Sequence, residues 1–376
     1  MRKKLSIILL VICVFFCIGC KTKDISRQNV YGNGNGFFAK EGFVLSGTPV
    51  EFVDALSNKT FIACSILNCE HIEGSEECEA MLEDSNYVYT IIFDGKMYYL
   101  QHAEDYTTNL WVKELAGSGR SKVATIPYSF EKRQFVLNDG KLYFGAKEGI
   151  GEDKLKESLP FLVELDLNTY ECRKLTEPEA YEDYSFQKLD ILDGSLYYVY
   201  YAYLEDYFKV YQEAVTGDNI LEDLEKAEEL RHVQICKVDL DTLEKTSLFT
   251  GDEFERYEFY GVSGEYLVFF DTKEQSIVRM TSDGEKKVLK QFTGVRYLEF
   301  GINEVLFGDY ISYTEADKKV FISIQDEKKV ERSIKENEPG IFLYNKAIDS
   351  VLVIGNNSGS DKFYIMTVED YIAGDF

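Results

Sequence analysis

The sequence predicts an all-β fold assembled from one repeated four-stranded unit, and three observations carry that expectation. Aromatic side chains abound as 27 Tyr and 26 Phe beside a single Trp, and such rings suit a pleated, half-buried sheet surface. Asp-Gly pairs stand between short apolar runs, the mark of a tight hairpin whose primed turn needs positive φ. Like segments also return at 41, 42 and 44 residues along the second half of the chain, the period of a four-stranded blade. Hydrophobic residues at 45% and charged residues at 28% describe a folded globular chain and not a disordered one.

Taken in order, the chain opens with Arg2, Lys3 and Lys4 ahead of an apolar stretch from Leu5 to Ile18. That stretch is shorter than the roughly 20 apolar residues a membrane span needs, and its basic start matches a secretory signal. It ends in Cys17-Ile18-Gly19-Cys20, followed at once by Lys21-Thr22-Lys23-Asp24. This segment resembles the lipobox of bacterial lipoproteins, although Cys17 stands where Leu is usual. The resemblance implies lipidation at Cys20 by acyl chains of the palmitate kind, and a lipid anchor at the outer, extracytoplasmic face of the cell membrane. Several acyl chains anchor stably, each buried methylene contributing about 0.8 kcal/mol. We therefore expect a signal peptide over residues 1–20, a polar tether over 21–30 and one folded domain over 31–376. Loss of the signal takes the net charge from −25 to −28.

The clearest copy of the repeat begins at Arg133-Gln134-Phe135-Val136-Leu137 and turns at Asn138-Asp139-Gly140 into Lys141-Leu142-Tyr143-Phe144. It continues with Phe161-Leu162-Val163-Glu164-Leu165-Asp166-Leu167, turns at Asn168-Thr169, and ends near Glu171-Cys172-Arg173-Lys174-Leu175. Four strands in meander order make one blade of a β-propeller. The Asp-Gly turn recurs at Asp94-Gly95 and Asp193-Gly194, with weaker copies expected at Ser263-Gly264 and at Asn303-Glu304 before Val305-Leu306-Phe307. An anchor on the third strand falls at Val53, Leu115, Leu165, Val238, Met280, Ile324 and Ile365. Seven anchors predict seven blades, with six and eight as alternatives. The final Phe363-Tyr364-Ile365-Met366 run is expected to close the last blade against the first.

Two of the gaps between anchors are long enough to hold insertions. One lies near residues 204–231, where Asp218-Asn219 could cap a helix presenting Ile220, Leu221, Leu224, Ala227 and Leu230 along one side. That helix is expected to cover a blade edge. The other insertion holds Cys64, Cys69, His71 and Cys78, spaced C-x₄-C-x-H-x₆-C. Three thiolates and one imidazole complete a tetrahedral Zn²⁺ shell, whereas an exported chain favours disulfides. Five Cys follow Cys20, so at least one cannot pair within the chain. Metal, disulfide and merely buried, reduced Cys all stand as readings, with a structural role for either of the first two. Cys172 and Cys236 read as buried strand residues rather than a distant pair.

The repeated DG-[KS]-[ML]-Y-[YF] strands, the lipobox and the Cys64-Ser65-Ile66-Leu67-Asn68-Cys69-Glu70-His71 segment together resemble a family of β-propeller lipoproteins of Gram-positive anaerobic bacteria. The resemblance covers most of residues 31–376 and implies a fold and a location. No established activity comes with that family.

A pI near 4.6 argues against nucleic acid as a partner, because phosphate backbones demand clustered Lys and Arg. No nucleophile elbow is present, and His102 and His232 read as ordinary strand residues. Gly32-Asn33-Gly34-Asn35-Gly36 lacks the strand–helix context of a nucleotide site and reads as a flexible lead-in. Acidic groups such as Asp239-Leu240-Asp241 read as strand-end turns instead of Ca²⁺ loops. Most Tyr, including Tyr98-Tyr99 and Tyr197-Tyr198, are assigned to packing between blades. The function expected is non-enzymatic binding or scaffolding at the cell surface, for a peptide, glycan or partner protein. The alternative is a carbohydrate-active or other hydrolytic enzyme using carboxylates at the channel mouth.

Overall fold

A computed structural model describes residues 30–33, 36–39, 41–45, 49–64, 69–71, 78–80, 88–115, 119–148, 159–177, 184–203, 207–216, 231–249, 257–293, 305–335, 338, 340–345, 349–357 and 360–375. The signal peptide, Cys20 and the helix expected over 218–230 lie outside them. Among the described residues no helix is long and apolar enough to cross a membrane.

After β1 (Val30–Asn33), antiparallel strands follow one another in meanders. The first is β2 (Gly36–Ala39), β3 (Gly42–Leu45), β4 (Glu51–Asp54) and β5 (Lys59–Ile62). The second is β6 (Val88–Phe93), β7 (Lys96–His102), β8 (Thr108–Glu114) and β9 (Ser121–Ile126). The third is β10 (Tyr128–Asn138), β11 (Lys141–Glu148), β12 (Phe161–Asp166) and β13 (Cys172–Lys174). The fourth is β14 (Tyr184–Leu192), β15 (Ser195–Tyr203), then helix α1 (Tyr207–Thr216), β16 (Arg231–Asp239) and β17 (Lys245–Ser247). The fifth is β18 (Tyr257–Ser263), β19 (Tyr266–Asp271), β20 (Ser276–Thr281) and β21 (Lys286–Gln291). The sixth is β22 (Val305–Phe307), β23 (Tyr310–Glu315), β24 (Lys318–Ser323) and β25 (Lys329–Ser333). The seventh is β26 (Gly340–Asn345), β27 (Ser350–Asn357) and β28 (Ser360–Thr367), closed by helix α2 (Val368–Ala373).

The architecture is an all-β propeller of small antiparallel sheets. Among the described residues, hydrogen bonding groups the strands into six sheets, one fewer than the seven blades expected and equal to the lower alternative. The difference comes from β1, which pairs with β2 on one side and β10 on the other. It thereby fuses the first and third meanders into one nine-stranded sheet. The glycine-rich lead-in is thus a strand and half of a hairpin: Gly32 lies opposite both Phe37 and Phe135. Its Asn-Gly pairs carried a hairpin signal that the reading as a flexible segment passed over.

Every anchor lies on the third strand of a meander or one residue beyond it. The reason is a shared pair of turns. Asp94-Gly95, Asp139-Gly140 and Asp193-Gly194 all carry positive φ at both residues, as the primed hairpin requires. At the neighbouring turn, the N–H of Asn58, Tyr170, Leu243 and Glu327 donates to the carbonyl of Asp54, Asp166, Asp239 and Ser323 respectively. Those four donors also sit at positive φ. The two turns are tied together: Ala55, Leu115, Leu167, Leu240, Ile324 and Val368 each donate to a carbonyl in the first hairpin turn of their own meander. One weaker copy is corrected. Val305-Leu306-Phe307 precedes the turn at Gly308-Asp309 and forms a first strand, whereas a second strand was expected.

Packing between meanders is aromatic. Tyr99, Tyr197, Tyr198, Tyr200 and Tyr313 are among the largest fully buried side chains, as their assignment to packing requires. The fourth strands, which have no further partner, carry Lys and Arg, a common guard against edge pairing. Several of these cations lie over buried rings, with Lys174 Nζ 4.2 Å from Phe161 and Lys286 Nζ 4.5 Å from Tyr257. Closure occurs as expected. Leu352, Phe363 and Ile365 pack on Phe43, Leu45 and Val53. The Asn58 side chain both donates to the Ile365 carbonyl (3.0 Å) and accepts from its N–H (2.8 Å).

Direction follows from the topology. First and third strands run toward the paired tight turns, so the second-to-third loops and the links between meanders begin at the opposite end. Val30 lies across from Leu137, beside the Asp139-Gly140 turn, so β1 enters from the tight-turn end.

Candidate metal centre

Between β5 and β6 the chain leaves the repeat. Among the described residues of the 63–80 insert, Cys78 and Ala80 form a small buried cluster against which Cys64 and Cys69 pack. What gathers there is polar. The donor atoms of Cys64, Cys69, His71 and Cys78 all lie within 4.8 Å of one another. His71 Nδ1 is 3.3 Å from Cys78 Sγ. Donors around a tetrahedral zinc lie about 3.5–3.8 Å apart, given Zn–S near 2.3 Å and Zn–N near 2.0 Å. Cys78 is fully buried and the other three partly so. His71 holds a left-handed backbone, φ 52°, a conformation most side chains avoid unless the surroundings impose it. The four residues picked out by spacing are therefore brought together, and the cluster could hold a metal. Among the described residues no disulfide joins Cys64, Cys69 and Cys78.

The insert is fixed to two meanders. Val50, just before β4, donates to the Ala80 carbonyl (2.8 Å) and accepts from Ala63 N–H (2.9 Å). On the other side Glu79 forms an ion pair of 2.6 Å with Lys113 of β8, both side chains less than 5% exposed. Glu79 also accepts from the Gly119 N–H, and Lys113 reaches the Ala63 carbonyl at 3.5 Å. Lys113 thus touches both ends of the insert. Sequence reading missed this pair, because a lysine at the end of Leu110-Trp111-Val112 reads as a solvated strand position.

Cys172 and Cys236 form no disulfide with a described residue and belong to separate clusters, and burial pushes the Cys172 thiol up to about 12. His102 stacks on Phe130 at 4.1 Å with Nδ1 3.2 Å from Ser129 Oγ. His232 pairs with Ala202 in the β15–β16 ladder.

Carboxylates that shift clearly do so downward, among the described residues. Asp239 accepts from the Thr242 N–H and hydroxyl and from the Asp241 N–H, which hold it low. This is the strand-end turn expected for Asp239-Leu240-Asp241. Burial opposes ionisation of Glu164, but hydrogen bonds from Arg173 and Lys141 outweigh it. Burial likewise opposes Glu338, and Arg332 with Lys319 keeps it low. Lys328 draws Asp326 down to about 2. A glycosidase acid needs the reverse shift.

No protein-family model matches the chain, and no curated protein does. Solved structures of β-propeller proteins do resemble it. A puromycin hydrolase covers 91% of this chain with 11% identity and a TM-score of 0.52. A prolyl endopeptidase covers 90% with 10% identity and a TM-score of 0.51. The chain spans about half the length of each, 52% and 50%. At such identity the likeness concerns the fold alone.

Proposed function

We propose that this chain is a lipid-anchored scaffold at the extracytoplasmic face of the membrane, binding a peptide, glycan or partner protein without catalysis. The observation that carries the reading is topological. β1 enters from the tight-turn end, so a tether from Cys20 would meet the propeller on that side. The links holding the Cys/His insert, residues 149–160 and residues 204–230 all begin at the other end. Loops set on a rigid body are the usual place for recognition, and here the long ones begin at the end opposite the anchored side. We take the metal of the Cys/His cluster to be Zn²⁺ in a structural role, since four protein donors leave no open position for substrate.

A glycan and peptide binding screen on the chain lacking residues 1–20 tests the binding reading; turnover of a screened glycan or peptide with no stable binding would overturn it. Cys20→Ala should leave unprocessed precursor or release the protein, and processing with retention as in wild type would sink the lipid anchor. An epitope placed in 149–158 should be reached by antibody on intact cells more readily than one at Asp94-Gly95. Equal or reversed access would overturn the orientation.

A further inference from the structure

We propose that the insert is a zinc-dependent clamp between the first two meanders, and that Glu79 carries the order imposed by the ion onto Lys113 and Gly119. The proposal rests on the zinc reading above and deepens it. Glu79 directly follows the ligand Cys78, so its position is set by how the four donors close. Its carboxylate is nearly fully buried against Lys113. A buried ion pair is sustained only where geometry is fixed and further hydrogen bonds satisfy it. Here the fixing comes from the ligand loop on one side and from β8 on the other, with the Gly119 N–H and the Ala63 carbonyl as the added partners. The first meander is gripped at Val50 through Ala63 and Ala80, one residue from Cys64 and two from Cys78. The ligand ring is therefore the shared end of contacts to both meanders. Binding energy of a structural metal becomes folding energy in such a segment, and the ion pair extends it beyond the segment itself.

Metal analysis and hydrogen exchange on the mature chain test this. Purified without oxygen, it should carry about one zinc per chain, lost in Cys69→Ser. Removing the ion with a chelator should raise amide exchange in 63–80 and also in β8 and β9, residues 108–126. Zinc present with exchange rising in 63–80 alone overturns the clamp and leaves the zinc reading standing. Absence of zinc, with a Cys–Cys bond found by intact mass, overturns the zinc reading itself. Lys113→Met should keep its zinc yet exchange over 108–126 as the metal-free chain does; unchanged protection there overturns the clamp. If Lys113→Met does not fold, the chelator experiment decides alone.

Discussion

Between the fourth and fifth meanders, Phe249, Tyr257, Phe259 and Phe269 fill the interior ring against ring, with centroids 4.4–6.0 Å apart. Between the first and second, the described residues of the 63–80 insert bury Cys78 and Ala80 beside the Glu79–Lys113 ion pair. The aromatic layer spreads its stabilisation over many contacts, each replaceable in part. The described contacts of the insert centre on four donor atoms and two charges, and under the zinc proposal loss of one would loosen the rest. A repeat can be held by redundancy, whereas a segment outside the repeat needs a few strong, specific contacts.

The largest effect should come from removing a whole partner from the redundant part. A chain ending at Glu338 lacks β26–β28 and α2. It exposes Phe43, Leu45 and Val53 on one side and Phe307 and Phe321 on the other. Meanders bury their faces only against neighbours, so this chain should aggregate or stay insoluble. A soluble product with an unchanged melting profile would break the picture of a closed ring. Within the layer, Phe269→Ala should cost about 3–5 kcal/mol, read by denaturant unfolding. A loss under about 1 kcal/mol would mean that the layer repacks more freely than its ring contacts imply.

How far each region could be read in advance follows the same division. Alternation and Asp-Gly turns are local, so Phe135 to Phe144 and Asp166 to Lys174 announced their strands without knowledge of their neighbours. The seven anchors fell on third strands or one residue past them because residues such as Leu167 and Leu240 bond back to a nearby turn, a constraint contained within one repeat. The sheet count was not legible, since it depends on β1 meeting β10 across about a hundred residues of intervening chain. Spacing sufficed to find Cys64, Cys69, His71 and Cys78. Glu79 with Lys113 is a contact of 34 positions between two charged residues, and charged residues in sequence read as solvated.

The insert itself offers the next smaller effect. Lys113→Met leaves the Glu79 carboxylate buried without its cation, which costs about 3 kcal/mol or more. Replacing both, as Lys113→Met with Glu79→Gln, should recover part of that loss, since the buried charge is gone. Were the double variant as unstable as the sum of the single ones, the pair would not be acting as a unit.

The smallest expected effect lies in the exposed turns, and it is a matter of pH. Asp239 is held below its ordinary value by hydrogen bonds from Thr242 and Asp241 that only the carboxylate form accepts in full. A carboxyl depressed in the folded state contributes stability above its unfolded pKa, near 3.9, and loses it as pH falls through the folded value. Asp239→Ala should therefore melt slightly below wild type at neutral pH, and the two should converge as pH drops well below 4. Asp239→Asn keeps an acceptor for the Thr242 and Asp241 N–H groups without the charge, so it should lie between them and show less pH dependence. Because the same turn is built at Asp54, Asp166 and Ser323, losing one of the four should leave the cooperative unfolding of the propeller intact. A gap between wild type and Asp239→Ala that stays constant down to pH 2 would assign the effect to shape alone and remove the carboxylate from the account.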